Sequence, residues 1–310
     1  MKTIFVINPK AGKKNNIDNL SKIILKTAEK LGADVEIYTT KCEGDATCFV
    51  KDYLENNGPA RFVACGGDGT LCEVLNGAIE CEGAEVGVMP IGTGNDFVKN
   101  FEADFSDIEA QILSDSELCD AIKYKTTLPD GTKRDGYCAN MINIGFDCNA
   151  GYAMSEMKKK PFVSGSMAYL LAVFTTLVKK KGADLEMLLD GNSVYNGRLL
   201  LTSIANGCFC GGGVKSNPLA CVHDGLMNVN IVKNISRTRF LTLFPFYKKG
   251  THGNVRGIEK YITNTGCRKI TIKPNGDSMR ICVDGEVFSA GVTELEILHD
   301  AYKFVVPKKA

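Results

Sequence analysis

Proline is scarce in this 310-residue chain, with 9 residues, and histidine scarcer still, with 3, while glycine reaches 32. Tight turns and close backbone approaches therefore have to rely on glycine. No Cys-x-x-Cys pair occurs among the 13 cysteines, and only Cys208 and Cys210 sit close together. An odd count leaves at least one thiol unpaired in an oxidising compartment, so these residues read as small apolar side chains in a reducing cytosol. His223, His252 and His299 show no ligand spacing toward the cysteines, which argues against a zinc site. Long hydrophobic runs are missing as well: residues 168–178 (AYLLAVFTTLV) cover about half of a membrane span. The N-terminal apolar run is shorter than the core of a signal peptide and meets an Asn-Pro turn. The expectation is a cytoplasmic protein, soluble or at most peripheral to a membrane. An apolar share of 44% and a charged share of 24% exclude collagen, coiled coil and wholesale disorder.

The net charge of +1 hides an asymmetry. Residues 1–125 hold 13 basic and 21 acidic side chains, and residues 126–310 hold 24 and 15, giving −8 against +9. Such a division points to regions with different partners. Triple-lysine runs at 158–160 and 179–181, with lysine pairs at 248–249 and 308–309, fall in the basic part. They read either as solvated faces or as attraction to an anionic membrane surface, worth about 1 kcal/mol per basic residue near the lipid. No nucleic-acid partner is expected.

Along the chain, strands at Thr3–Ile7, 35–38, 62–65 and 86–89 alternate with helices at Ile17–Leu31, from Asp45, which can cap it, to about 55, and from the loop after residue 65 to about 77. Alternation of this kind predicts an α/β domain with a mostly parallel sheet. From about residue 124 the texture becomes β-rich, with short alternating segments at 136–144, 184–189, 198–205, 227–232, 269–272, 280–283 and 294–298. One helix is expected there, at 166–178, either buried under the β-domain or lying at a membrane interface between its lysine runs. The organisation expected is residues 1–124, with 293–310 a candidate to rejoin them, as one domain and 125–292 as the other.

The densest chemical signal is Gly66, Gly67, Asp68, Gly69 and Thr70 between a buried strand and a helix, where free N–H groups can receive a phosphate. Asp68 would repel phosphates unless a magnesium ion or its water network intervenes. Thr70 and Glu73 have the spacing of a capping box. No Gly-Lys-Ser/Thr follows, so this is not a Walker A loop. Asn8, Pro9, Lys10, Ala11 and Gly12 follow the first strand, and Gly92, Thr93, Gly94, Asn95 and Asp96 follow the fourth. Open α/β sheets bind ligands beyond the carboxyl ends of their strands, so the three loops predict one nucleotide site. Asp284, Gly285 and Glu286 alone would read as a hairpin turn.

In this order and spacing, NPKAG, GGDGTLCEVLNG, PIGTGNDF, NIGFDCNAG, GGGVKSNPLACVHDGLMNVNIV and VDGE resemble the catalytic domain of the diacylglycerol kinase and sphingosine kinase lipid kinases, in particular the soluble bacterial members. The resemblance covers nearly the whole chain. It implies ATP contacts from Asn8 to Gly12, from Thr40, from Gly66 to Thr70 and from Thr93. It implies a Mg2+ cofactor and Glu286 as the acceptor of the lipid hydroxyl's proton. Asp284, two residues from Glu286, is then expected on the same face of a strand, where the two carboxylates could divide the work of base and of metal or water positioning. Asp68 in the phosphate loop is the third catalytic carboxylate expected. Asp224 matches a metal-site aspartate that the carbonyls of Cys221 and Leu226 would complete. Cys72 stands where the family usually has asparagine, and Ala11 where it often has serine.

The reading is an ATP-dependent kinase of a lipid alcohol such as diacylglycerol. A kinase of a soluble substrate, as in the NAD kinases, and a nucleotide-binding regulator without catalysis are the rivals. A homodimer stays open, on no ground beyond the frequency of closed dimers.

Overall fold

A computed structural model of the chain describes residues 1–12, 17–146, 148 and 182–307. They fall into two compact units. The first comprises Met1–Ala121, Val222–Asp224 and Leu298–Ala310, and the second Ile122–Cys221 and Gly225–Ile297. The helix expected at 166–178 and the lysine runs at 158–160, 179–181 and 308–309 lie outside the described residues. Among those described, no helix is long and apolar enough to cross a membrane.

The first unit runs β1 (Thr3–Ile7), α1 (Ile17–Leu31), β2 (Val35–Thr39), α2 (Asp45–Asn57), β3 (Arg61–Gly66), α3 (Asp68–Ala78), β4 (Glu85–Pro90), a 3-10 turn at Phe97–Asn100 and α4 (Ile108–Leu113). β2, β1, β3 and β4 pair in that order, all parallel. Ile7 pairs with Thr39 and Cys65, and Gly66 with Pro90, so the strands end level with one another. Every residue of β1 and β3 is buried, as expected for parallel strands covered on both faces. Phe5, Ile7, Ile24, Val63, Cys65 and Met89 form the core beneath α1.

Two expected caps are replaced by longer-range contacts. α3 starts at Asp68, with Gly67 as its cap residue, so Thr70 lies inside the helix and no capping box forms with Glu73. Glu73 instead accepts the N–H of Ala46 in the first turn of α2 at 3.2 Å, tying two helices together. Asp45 does not cap α2 either: its carboxylate accepts the Tyr38 hydroxyl at 2.9 Å and the Lys41 N–H at 2.8 Å, and Gly44 occupies the cap position.

The chain continues through β5 (Ser116–Thr127), β6 (Lys133–Cys138), β7 (Met141–Gly145), β8 (Ala183–Leu189), β9 (Asn192–Ala205), β10 (Met227–Lys233), α5 (Arg237–Lys249), β11 (Ile262–Cys267), β12 (Lys269–Pro274), β13 (Met279–Val283), β14 (Glu286–Ala290) and β15 (Thr293–Val305). In the second unit these strands pair antiparallel, with β9 bonded to β7, β8 and β10. Alternate residues build its core, including Ile142, Ile144, Leu185, Met187, Ile204 and Ile281. In the first unit Lys303 and Phe304, near the end of β15, pair parallel with Glu85 and Val86 of β4.

The structure departs from the expected β-segments at 136–144, which divide into β6 and β7. The N–H groups of Ala139 and Asn140 leave the ladder to bind a side-chain carboxylate, that of Asp284. α5 was not expected from the pattern, because Pro245 stands inside it and cannot donate the usual helical hydrogen bond. Its ends carry ordinary signals: Ser236 accepts the N–H of Arg239, and Gly250 closes it in the left-handed conformation.

Candidate functional site

The level ends of β1, β3 and β4 deliver three loops to one edge of the first unit's sheet. Asn8 bends the first loop by accepting the Lys10 N–H at 2.9 Å on its own side chain, while its amide donates to Thr70 Oγ1 at 3.1 Å. The Gly66 carbonyl accepts the N–H groups of Ile91 and Gly92, both at 3.0 Å, which joins the second loop to the third. Thr40, buried after β2, donates its N–H to the Ile7 carbonyl at 2.9 Å. Thr93 is exposed at the tip of the third loop.

Glycine is required where these loops meet. A Cβ added to Gly92 would lie 2.5 Å from the Gly67 Cα, and one on Gly66 would collide with the Thr70 hydroxyl. Backbone therefore packs on backbone. α3 begins here with no side-chain cap on its first N–H groups, and an anion is favoured at a helix N-terminus.

Asp68 sits at the junction. Its Oδ1 accepts the N–H of Asp96 at 2.7 Å and of Phe97 at 3.2 Å, capping the short turn that begins the next segment. Beneath that turn Phe97 packs against Phe101 and Phe304, with ring centroids 5.5 and 5.0 Å away. Its Oδ2 takes no hydrogen bond among the described residues. A Cβ on Gly94 would lie 2.8 Å from this oxygen and 3.7 Å from Asp96 Oδ2, so two carboxylate oxygens flank a gap kept by a glycine. Lys99 holds the other Asp96 oxygen at 2.6 Å and the Gly94 carbonyl at 2.7 Å. Burial pushes the Asp68 carboxyl above its ordinary value, the Asp96 charge adds to the rise, and the N–H groups and Lys99 oppose it. Hard oxygen donors with excess negative charge suit Mg2+. Sequence reasoning missed Asp96 and Lys99 here; the motif GTGND contained the aspartate but gave it no role.

In the second unit, Asp284 and Gly285 form the two-residue turn between β13 and β14, with φ of 44° and 94°. Positive φ at both central residues fits the hairpin turn that Asp-Gly favours. Asp284 therefore does not share a strand face with Glu286, contrary to expectation. Its carboxylate is wholly used inward. Oδ2 accepts the Ala139 N–H at 2.7 Å, and Oδ1 accepts those of Asn140 at 3.1 Å and Met141 at 3.0 Å, with the Cys138 thiol at 3.2 Å. Burial raises this carboxyl from its ordinary value, and the four donors counter it.

Glu286 opens β14 with its side chain about half exposed. Arg134 of β6 places Nη2 2.6 Å from both carboxylate oxygens, and its guanidinium lies 4.1 Å from the centre of the Phe288 ring. Phe288, two residues along β14, shares the face of Glu286. Nothing local in the sequence marked Arg134, since its partner lies 152 residues away.

The remaining expected residues are distributed between the units. Asp224 belongs to the first unit, and Cys221 and Leu226 to the second. Cys72 lies within α3, where the Asn76 amide approaches its sulfur at 3.5 Å and its carbonyl at 2.8 Å.

Loops gathered at the strand ends, with a carboxylate pair beside a helix N-terminus, define an α/β unit with a candidate anion and cation site, in a chain that also carries a β-rich unit. Comparison with known proteins makes this specific. The sequence model for the diacylglycerol kinase catalytic domain matches residues 2–123, and that for the YegS C-terminal NAD kinase beta sandwich-like domain matches residues 140–306. A diacylglycerol kinase of Bacillus subtilis is 24% identical over 98% of this chain and 96% of its own length. One from Staphylococcus aureus (strain MRSA252) is 29% identical over 80% of this chain and 75% of its own. In fold, the chain resembles the crystal structure of a diacylglycerol kinase from Bacillus anthracis, with a TM-score of 0.68 at 20% identity, covering 98% and 96% of the two chains. The chain belongs to the diacylglycerol kinase family, and its class is a kinase.

Proposed function

We propose that the protein transfers the γ-phosphoryl group of ATP to the hydroxyl of a lipid alcohol such as diacylglycerol, with Glu286 as the general base. The observation that carries the nucleotide half is the junction of the Asn8–Gly12, Gly66–Thr70 and Gly92–Asp96 loops at one sheet edge. Phosphoryl transfer relies on positioning and charge neutralisation, which backbone N–H groups and carboxylates supply. Asn8, Pro9, Lys10, Ala11, Gly12, Thr40, Gly66, Gly67, Gly69, Thr70 and Thr93 are the proposed ATP contacts.

Asp68 and Asp96 are the residues that would hold Mg2+, whose charge offsets that of the phosphates. Asp224 with the carbonyls of Cys221 and Leu226 is proposed as a second, structural metal site. Arg134 fixes the direction of the Glu286 carboxylate, and Glu286 takes the hydroxyl proton as the acceptor oxygen forms its bond to phosphorus. Asp284 contributes by fixing the turn from which Glu286 projects, rather than by touching the reactants.

We assign the lipid-facing role to the second unit and a peripheral, cytoplasmic habit to the protein. In support, α5 exposes Leu241 and Phe246 beside Lys248 and Lys249, a combination suited to an anionic bilayer surface. The test is competition in mixed micelles. Diacylglycerol should be phosphorylated and a water-soluble acceptor such as NAD should not. Phosphorylation of NAD alone would replace this reading with its soluble-substrate rival. Vesicle sedimentation at low salt checks the surface: anionic vesicles should carry the protein down, and failure to bind them would remove the membrane role.

A further inference from the structure

We propose that Glu117, Cys119 and His223 form a binding site for a divalent transition-metal ion, with zinc the best match to the donors. All three belong to the first unit. Glu117 and Cys119 are two apart on β5 and so share a face. Sequence spacing argues against zinc here, but the fold overrides it: His223 is brought alongside Cys119 because the Asp120 N–H donates to the Val222 carbonyl at 2.8 Å. One ligand atom from each residue lies within 4.8 Å of the others.

The orientation of His223 is that of a prepared ligand. Its Nδ1 lies 2.8 Å from the Leu118 carbonyl, and a carbonyl only accepts, so Nδ1 carries the proton. Nε2 is left facing Glu117 Oε1 at 3.4 Å. A lone pair opposed to a carboxylate oxygen is repulsive unless a proton or a cation lies between them. Metal-bound histidines characteristically donate their other ring N–H to a carbonyl or carboxylate, which fixes the tautomer as seen here. The Cys119 sulfur supplies a soft third donor, and sulfur with nitrogen selects zinc over magnesium. The Asp224 set, being all oxygen, is chemically different. Three protein ligands leave the fourth tetrahedral position to water. On binding, the thiol proton goes to the buffer and a metal–sulfur bond forms, so affinity should rise with pH.

Cobalt(II) is the probe, because a thiolate ligand gives it a charge-transfer band in the near ultraviolet and tetrahedral geometry gives strong visible bands. Titration of the full chain should show one equivalent with both features, displaced by zinc and untouched by excess magnesium. The Cys119→Ser protein should lose the charge-transfer band. His223→Ala and Glu117→Gln, at side chains 40% and 47% exposed, should fold normally and bind zinc at least about tenfold more weakly. The Cys42→Ser/Cys48→Ser double variant, which removes two exposed thiols elsewhere, should keep the band. No band in the wild type, or zinc affinity unchanged in both His223→Ala and Glu117→Gln, would overturn the site and leave a protonated His223–Glu117 ion pair in its place.

Discussion

Two half-buried aspartates, one in each unit, are held by backbone N–H groups in glycine turns, yet they are finished differently. Asp284 spends both oxygens on the segment 138–141, and every bond is internal. Asp68 spends only Oδ1, on Asp96 and Phe97, and turns Oδ2 toward the gap kept by Gly94. Burial disfavours the charge in both. A carboxylate satisfied on all sides fastens a fold, whereas one left half-satisfied beside a helix N-terminus and a second carboxylate is ready for a cation. The chemistry of the residue is the same, and the completeness of its hydrogen bonding separates the roles.

That contrast can be broken by substitution. Asp284→Ala should strand the N–H groups of Ala139, Asn140 and Met141 and cost about 1–3 kcal/mol of stability for each one left without a partner, measured by denaturant unfolding. Asp68→Asn keeps an acceptor for Asp96 and Phe97, so stability should stay within about 1 kcal/mol while phosphoryl transfer falls about 10²–10³-fold. If the two results exchanged places, the distinction would fail. Gly92→Ala pushes a methyl onto the Gly67 backbone and should cost about 1–3 kcal/mol, together with ATP affinity measured by calorimetry.

The smallest effect concerns pH. Because the Asp68 carboxyl is raised above its ordinary 3.8 in the folded protein, its stabilising contribution is present below that value and is lost as pH rises through the folded value. At neutral pH its charge therefore weighs against the fold until a cation compensates. Added Mg2+ should raise the melting temperature of the wild type at pH 7 more than that of Asp68→Asn.

The alternation of buried strands with amphipathic helices made the first unit legible, and the strands expected at 62–65 and 86–89 form as β3 and β4. The β-rich character of the second unit followed from its short alternating segments. The contacts that cross long stretches of chain could not be read. Glu73 has the right spacing to cap its own helix but binds the first turn of a neighbour's, because α3 begins before Thr70 and leaves no capping box to close. The break between β6 and β7 depends on a carboxylate more than 140 residues away. α5 was hidden by Pro245, whose cost is offset by burial of Phe240, Leu243 and Tyr247. At the candidate site the glycine loops were visible as motifs, but the pairing of Arg134 with Glu286, and of Lys99 with Asp96, required the fold.

The most direct test of the account is transfer of labelled γ-phosphate from Mg-ATP to a panel of lipid alcohols in anionic mixed micelles, run beside Glu286→Gln. A labelled lipid whose formation falls about 10²–10⁴-fold in the variant, with ATP affinity unchanged, is the predicted result. Full turnover in Glu286→Gln would contradict the base assignment, and intact ATP binding with no labelled lipid from the wild type would contradict the lipid kinase itself.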